Sequence, residues 1–219
     1  MDRNKGDYYI EVSHVSKRFG NTQVLKDVSL NCESGKIYGL VGHNGSGKTV
    51  LFKILCGFLS CEEGTVKVNG KVMGKEKDML TEAGIIIEDP GFLRTWSGYH
   101  NLEFLYTLRN KKNKAYLYSV MEKVGLDPGM RRPVGKYSLG MRQRLAIAQA
   151  IMEDPGILIL DEPMNGLDKK GVEEIRALLL KMKEENKLII LASHNREDIQ
   201  ILCDEVYEME EGRLRKLCG

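Results

Sequence analysis

The sequence predicts an α/β domain whose sheet-forming core is interrupted by an inserted α-helical lobe. Three observations carry that reading. Two apolar runs, residues 157–160 and 188–192, flank a helical segment at 170–186. Its Val172, Ile175, Leu178, Leu179 and Met182 recur at helical spacing and form one buried face, giving the strand, helix, strand order of a parallel crossover. A strand-like stretch at 36–41 runs directly into a glycine-rich loop and then a helical stretch at 48–56. From about residue 91 to residue 151 the pattern turns helical.

In chain order, residues 8–14 and 24–30 read as strands, with a turn at Phe19-Gly20-Asn21 between them. Residues 65–68 read as a strand closed by the Asn69-Gly70 turn. The lobe holds three helices, at 98–110, 114–124 and 141–151, broken by Gly125, Asp127-Pro128-Gly129 and Pro133. Strand patterns return at 206–209 and 214–217. The organisation is a single domain over 1–219, with its α/β core in 1–90 and 152–219 and its helical lobe in 91–151. There is no internal repeat and no low-complexity segment.

A length of 219 residues suits one domain with an inserted lobe better than two full domains. With 42% hydrophobic and 29% charged residues, disordered and fibrous classes are excluded. The 33 Lys and Arg against 31 Asp and Glu leave a net charge of +2, which gives no global electrostatic case for nucleic acid. No apolar run approaches the ~20 residues that cross a bilayer, and the N-terminus has no signal-peptide core, so a cytoplasmic location is expected. The five cysteines (Cys32, Cys56, Cys61, Cys203, Cys218) lack zinc-like pairing and read as reduced, packed thiols. The 23 glycines exceed the usual share of roughly 7%, so some part of the chain needs bare backbone.

The glycine-rich loop supplies the reason. Gly42-His43-Asn44-Gly45-Ser46-Gly47-Lys48-Thr49 fits the phosphate-loop pattern G-x-x-x-x-G-K-[ST], between a strand and a helix as its chemistry requires. Gly42, Gly45 and Gly47 let the loop curl, Asn44 and Ser46 included, so that backbone N–H groups and the helix N-terminus meet one anion. Lys48 is expected on the β- and γ-phosphates, and Thr49 on Mg²⁺. The apolar run 157–160 delivers Asp161 and Glu162 at its C-terminal end, where ligands bind in open α/β sheets. Asp161 is expected to hold Mg²⁺ through water, and Glu162 to act as general base on the attacking water. Alone, such a strand end could simply be solvated; its place after a phosphate loop makes it specific.

With these motifs the chain resembles, over essentially its whole length, the nucleotide-binding subunit of an ATP-binding cassette (ABC) transporter. The resemblance implies a P-loop NTPase core of mostly parallel strands with an N-terminal antiparallel β subdomain. The family's Leu-Ser-Gly-Gly-Gln signature corresponds to Tyr137-Ser138-Leu139-Gly140-Met141, which keeps Ser138 and Gly140 and departs at the other three positions. The resemblance implies that Ser138 and Gly140 grip the γ-phosphate of ATP bound to an opposite subunit, with plain helix capping by Ser138 as the other reading. It also places Asp168, in Asn165-Gly166-Leu167-Asp168, in a dimer-contact loop at the nucleotide. His194 falls at the switch histidine facing the γ-phosphate, and Phe19 at an adenine-stacking aromatic. An incidental histidine and a core phenylalanine are the alternatives.

One departure lies at the loop joining core and lobe, where most relatives carry Gln and this chain has Glu88 within Ile85-Ile86-Ile87-Glu88-Asp89-Pro90. A carboxylate there can serve Mg²⁺ and the attacking water but adds negative charge near the γ-phosphate, making nucleotide binding more Mg²⁺-dependent. The other reading is a surface acid. Glu88 together with the altered signature is similar to cassettes of exporters that protect bacteria from lantibiotics, bacitracin and related antimicrobial peptides.

The implied activity is ATP hydrolysis with Mg²⁺ in a composite site shared by two ATP-binding subunits, a homodimer being expected. The implied partner is a separate membrane permease, with this chain peripheral on the cytoplasmic face of the membrane. The permease would dock near the Glu88 loop and residues 92–101, with Trp96 as contact or as lobe core. Lys111-Lys112-Asn113-Lys114 reads as a solvated loop, with a lipid or permease contact as the minority reading. A soluble cassette ATPase of DNA maintenance or translation is the competing reading; a single cassette without sustained heptads or basic excess argues against it. A P-loop kinase or GTPase explains neither Ser138-Leu139-Gly140 nor His194, and Asn186-Lys187 is not followed by the Asp of a guanine reader.

Overall fold

The computed structural model describes residues 7–74, 79–88 and 90–218. The N-terminal residues 1–6, read above as lacking a signal segment, and Asp89 lie outside the described residues, as does the side chain of Cys218.

Two sheets build the core. Strands β1 (Tyr9–Phe19) and β2 (Thr22–Glu33) form an antiparallel hairpin. With β4 (Glu63–Val68) and β5 (Lys71–Val72) they make a four-stranded antiparallel sheet in the order β2-β1-β4-β5. The second sheet has six strands: β3 (Ile37–Val41), β6 (Ala83–Ile86), β7 (Ile157–Asp161), β8 (Leu188–Ala192), β9 (Glu205–Glu210) and β10 (Arg213–Cys218). Its order is β10-β9-β3-β8-β7-β6, parallel throughout except for β10, which pairs antiparallel with β9.

The near-continuous apolar runs of β7 and β8 follow from this topology, because a parallel sheet is covered on both faces. Alternate residues serve different layers. Ile157, Ile159, Leu188 and Ile190 face a core shared with Leu51, Phe52 and Leu55 of α1 (Lys48–Leu55) and with Ile10, Val12 and Val66 of the antiparallel sheet. Leu158, Leu160, Ile189 and Leu191 face the helices α4 (Leu139–Ile151), α5 (Lys169–Glu184) and α6 (Arg196–Leu202). Full burial of each such side chain contributes about 1.5–3 kcal/mol. In α5 the expected face is buried through Ile175, Leu179 and Met182.

The helices α2 (Gly98–Thr107), α3 (Lys114–Lys123) and α4 pack through Leu102, Leu117, Met121 and Leu145. Their starts are set by side chains: Ser97, Asn113 and Ser138 each accept a backbone N–H from the residue three positions on, closing a donor the helix leaves open.

The structure departs from the sequence reading in several places. β1 and β2 run longer than residues 8–14 and 24–30, because irregularities between Val12 and Val15 and between Val15 and Lys17 break the alternation that marks a strand. The segment read as a mere connecting loop contains β6, the edge strand beside β7. Gly84 hides it from a propensity count, yet a Cβ there would lie 2.1 Å from the Ala150 carbonyl oxygen, so the strand can pass the end of α4 only as glycine. α6 was not anticipated, since Arg196, Glu197 and Asp198 mask a short helix capped by Asn195. α4 begins at Leu139, two residues before the expected start. Cys32 and Cys56 are buried free thiols, as expected, and burial pushes the Cys56 thiol up to about 12.

Candidate nucleotide site

The phosphate loop is shaped by contacts that only glycine allows. At Gly42 (φ 150°) a Cβ would stand 2.3 Å from the Met209 carbonyl oxygen of β9. At Gly47 (φ 115°), the residue before α1, it would stand 2.9 Å from Leu25 Cδ2 and 3.1 Å from the Val24 carbonyl oxygen. The loop is thus pressed between β9 and β2. Lys48 is 8% exposed, and its Nζ donates to the Gly42 and His43 carbonyl oxygens at 2.7 and 3.2 Å, which folds the ammonium back over the loop. Ser46 Oγ is buried with no hydrogen-bond partner among the described residues, which is unusual for a buried hydroxyl.

The acidic strand end meets this loop. Thr49 Oγ1 donates to Asp161 Oδ2 at 2.7 Å, joining the first turn of α1 to the last residue of β7. Glu162 takes a left-handed backbone conformation (φ 50°) just past the strand, and its N–H donates to the Ala192 carbonyl oxygen at 3.0 Å. His194 Nδ1 lies 2.8 Å from Glu162 Oε2. An ionised carboxylate only accepts, so Nδ1 carries the proton in this contact. From the lobe, Gln143 Nε2 donates to the Glu162 and Pro163 carbonyl oxygens at 3.2 and 3.0 Å. Sequence reasoning assigned Gln143 no role; its position in the turn after the signature was the available signal.

A cavity of about 670 Å³ lies between these groups, lined by Asn44, Lys48, Thr49, Glu88, Asp161 and Glu162 among others, a size suited to a small ligand. A larger groove of about 1240 Å³ runs along β6 and the lobe, past Phe58, Ile87 and Leu108. It contains no part of the phosphate loop.

Ser138, Gly140, Asp168, Phe19 and Trp96 stand outside the 670 Å³ cavity. Ser138 accepts from Met141 N at 3.2 Å as the cap of α4. Gly140 abuts the loop at residues 165–168 of its own chain, where a Cβ would be 2.7 Å from the Gly166 carbonyl oxygen. Asp168 caps α5 through Gly171 N at 3.0 Å, and its Oδ1 lies 3.8 Å from Arg144. Phe19 is 48% exposed at the hairpin tip, which removes the core alternative, and Lys17 Nζ sits 5.4 Å from its ring centroid. Trp96 is likewise too exposed, at 41%, to be lobe core. Glu88 lines the cavity but its Oε1 pairs with Lys53 Nζ at 2.6 Å.

The residues present fit a nucleotide and Mg²⁺. Curled backbone, a buried ammonium and an unpartnered hydroxyl suit phosphate, and the adjacent oxygens of Thr49 and Asp161 suit a hard cation. Among the described residues no group of three His, Cys, Asp or Glu could hold a metal, so Mg²⁺ would share its shell with phosphate oxygens and water.

Residues 25–165 match the family model described as ABC transporter. The chain belongs to the ABC transporter family. This ABC cassette is 41% identical over 210 residues to the bacitracin transport ATP-binding protein BcrA of Enterococcus faecalis, spanning 95% of this chain and 68% of that protein. It is 41% identical to the uncharacterized ABC transporter ATP-binding protein YybJ of Bacillus subtilis over 94% of each chain. The lantibiotic transport ATP-binding protein SrtF of Streptococcus pyogenes is 35% identical over 94% of this chain and 88% of that protein. In fold, the cassette matches the dimeric structure of MJ0796, a bacterial ABC transporter cassette, at a TM-score of 0.86 and 23% identity, covering 96% and 99% of the two chains. The cassette is an ATP-binding, ATP-hydrolysing transporter subunit that uses ATP and Mg²⁺. The DNA-maintenance and translation reading finds no support among these relatives.

Proposed function

We propose that this ABC ATPase hydrolyses ATP with Glu162 as general base and drives a separate membrane permease that exports antimicrobial peptides of the bacitracin and lantibiotic kind. The observation that carries the mechanism is the Glu162 carboxylate, held by His194 at the end of β7 beside the Thr49–Asp161 pair. Lys48 and the loop backbone, with Asn44, Gly45 and Ser46, would bind and orient the phosphates, and Thr49, Asp161 and Glu88 would hold Mg²⁺. Mg²⁺ supplies Lewis-acid polarisation of the phosphoryl oxygens and a template for the reacting groups. Glu162 would take the proton of the attacking water, and His194 fixes the orientation of that carboxylate through Nδ1; a contact from Nε2 to the γ-phosphate would require the imidazolium form.

Ser138 and Gly140 act on the nucleotide of a second copy, which is consistent with their position outside the chain's own cavity. Asp168 belongs to the contact between copies, and Phe19 stacks on adenine, for which its exposure at the hairpin tip leaves room. The copies close around ATP on the cytoplasmic face of the membrane and part after hydrolysis, with core (1–90 and 152–219) and lobe (91–151) as the moving units. The groove along β6, next to the Glu88 loop, is the proposed permease seat. Phe58, 47% exposed, and Leu108, 67% exposed, line it, and Trp96, stacked edge-on against Phe104 at 5.7 Å, is a further proposed contact. Lys112 pairs with Glu103 at 2.8 Å, which favours the solvated-loop reading of that basic stretch. The relatives named for bacitracin and lantibiotic transport support the peptide class.

The decisive variant is Glu162→Gln. It is expected to lower turnover by about 10²–10⁴ while ATP binding is kept, measured as phosphate release and as nucleotide binding on one preparation. Near-normal turnover rules out the base role.

A further inference from the structure

Glu88 stands where the family resemblance implies Gln, and the structure gives it a cation. Lys53 stands four residues after Thr49 in α1, hence on the same helix face and about 6 Å further along the axis. Its Nζ is 2.6 Å from Glu88 Oε1. Glu88 itself has φ 61°, a left-handed conformation uncommon outside glycine, two residues past β6. The carboxylate is thus held by a lysine of α1 while still lining the same cavity as Thr49 and Asp161.

We propose that Lys53 is the positioning residue for Glu88. It cancels the negative charge that the Gln-to-Glu departure brings near the phosphates, and it gives the carboxylate a second seat that it leaves for Mg²⁺ when the nucleotide is bound. The physical case has two parts. An unpaired carboxylate lining a phosphate site repels an anionic ligand, so its tolerance requires a nearby positive charge. The pair is also weak enough to exchange: the Glu88 side chain is 64% exposed and that of Lys53 30%, and exposed ion pairs are easily replaced by a divalent partner. The inference rests on the reading of Glu88 as a group facing Mg²⁺.

The test is binding of a fluorescent ATP analogue, with Mg²⁺ titrated and with EDTA, to wild type, Lys53→Met, Lys53→Arg, Glu88→Gln and the Lys53→Met/Glu88→Gln double variant. Lys53→Met is expected to weaken Mg²⁺-free binding about three- to tenfold and to steepen the Mg²⁺ dependence. Lys53→Arg is expected to retain wild-type behaviour, and the effect of Lys53→Met is expected to vanish in the Glu88→Gln background. An equal effect of Lys53→Met in both backgrounds overturns the proposal, because Lys53 then acts on nucleotide directly. So does an unchanged Mg²⁺ dependence in Lys53→Met when Glu88→Gln alters it. If Glu88→Gln alone leaves the dependence unchanged, the Glu88 reading fails first and takes this one with it.

Discussion

At the scale of single residues, the phosphate loop binds by geometry that substitutions disturb in separable ways. Lys48 folds over the loop through two carbonyl contacts, and among the described residues no other Lys or Arg lines the cavity except Arg142. Arg142 is itself engaged with the Tyr137 carbonyl oxygen at 2.8 Å. Replacing Lys48 by Ala is therefore expected to lower ATP affinity about 10- to 100-fold, the worth of one charge-assisted phosphate contact, read by equilibrium binding. Unchanged affinity contradicts the loop assignment. These residues were legible in the sequence because their spacing is dictated by a rigid ligand: phosphate needs bare backbone, a cation and a metal-bound hydroxyl within a few residues. Gln143 and Lys53 were not legible, because their partners, the Glu162 and Pro163 carbonyls and the Glu88 carboxylate, are far away in the chain. No local pattern encodes such pairs.

Among the elements, long apolar strands and the amphipathic α5 could be read because period and burial coincide. β6 and α6 could not, since one is four residues long with a glycine and the other is short and opens with three charged residues. Yet α6 carries a contact that supports the site. Asp198, 1% exposed, accepts from Arg176 Nε of α5 at 2.8 Å and from Ser193 Oγ at 3.3 Å. Ser193 precedes His194, so the pair anchors the turn from which His194 meets Glu162. Breaking a buried pair from one side costs about 3–5 kcal/mol. Asp198→Asn is thus expected to lower Tm by roughly 6–20 °C, taking 2–4 °C per kcal/mol for a chain of this size. Thermal unfolding checks this, and a loss under about 2 °C would mean that the charge at Asp198 matters little.

Over the whole molecule, the proposed sharing of the site between copies accounts for two expected residues that look idle in one chain. Ser138 and Asp168 each end as a helix cap, and both lie outside the cavity that the phosphate loop shares with Glu162. Among the described residues no helix is long and apolar enough to cross a membrane. In the proposed composite site, ATP at the boundary between copies moves them against each other, and that movement is the proposed source of work on a permease.

The direct test of that composite site is complementation. Lys48→Ala spoils the phosphate loop and leaves the signature intact. Ser138→Asp keeps the cap of α4, since Asp caps as well as Ser, but puts a negative charge where a partner's γ-phosphate would sit. Each variant alone is expected to be nearly inactive. An equimolar mixture is expected to recover about a quarter of wild-type ATPase activity, because random pairing gives half mixed dimers, each with one intact site. A mixture no more active than its components, with mixed dimers present, would contradict the account.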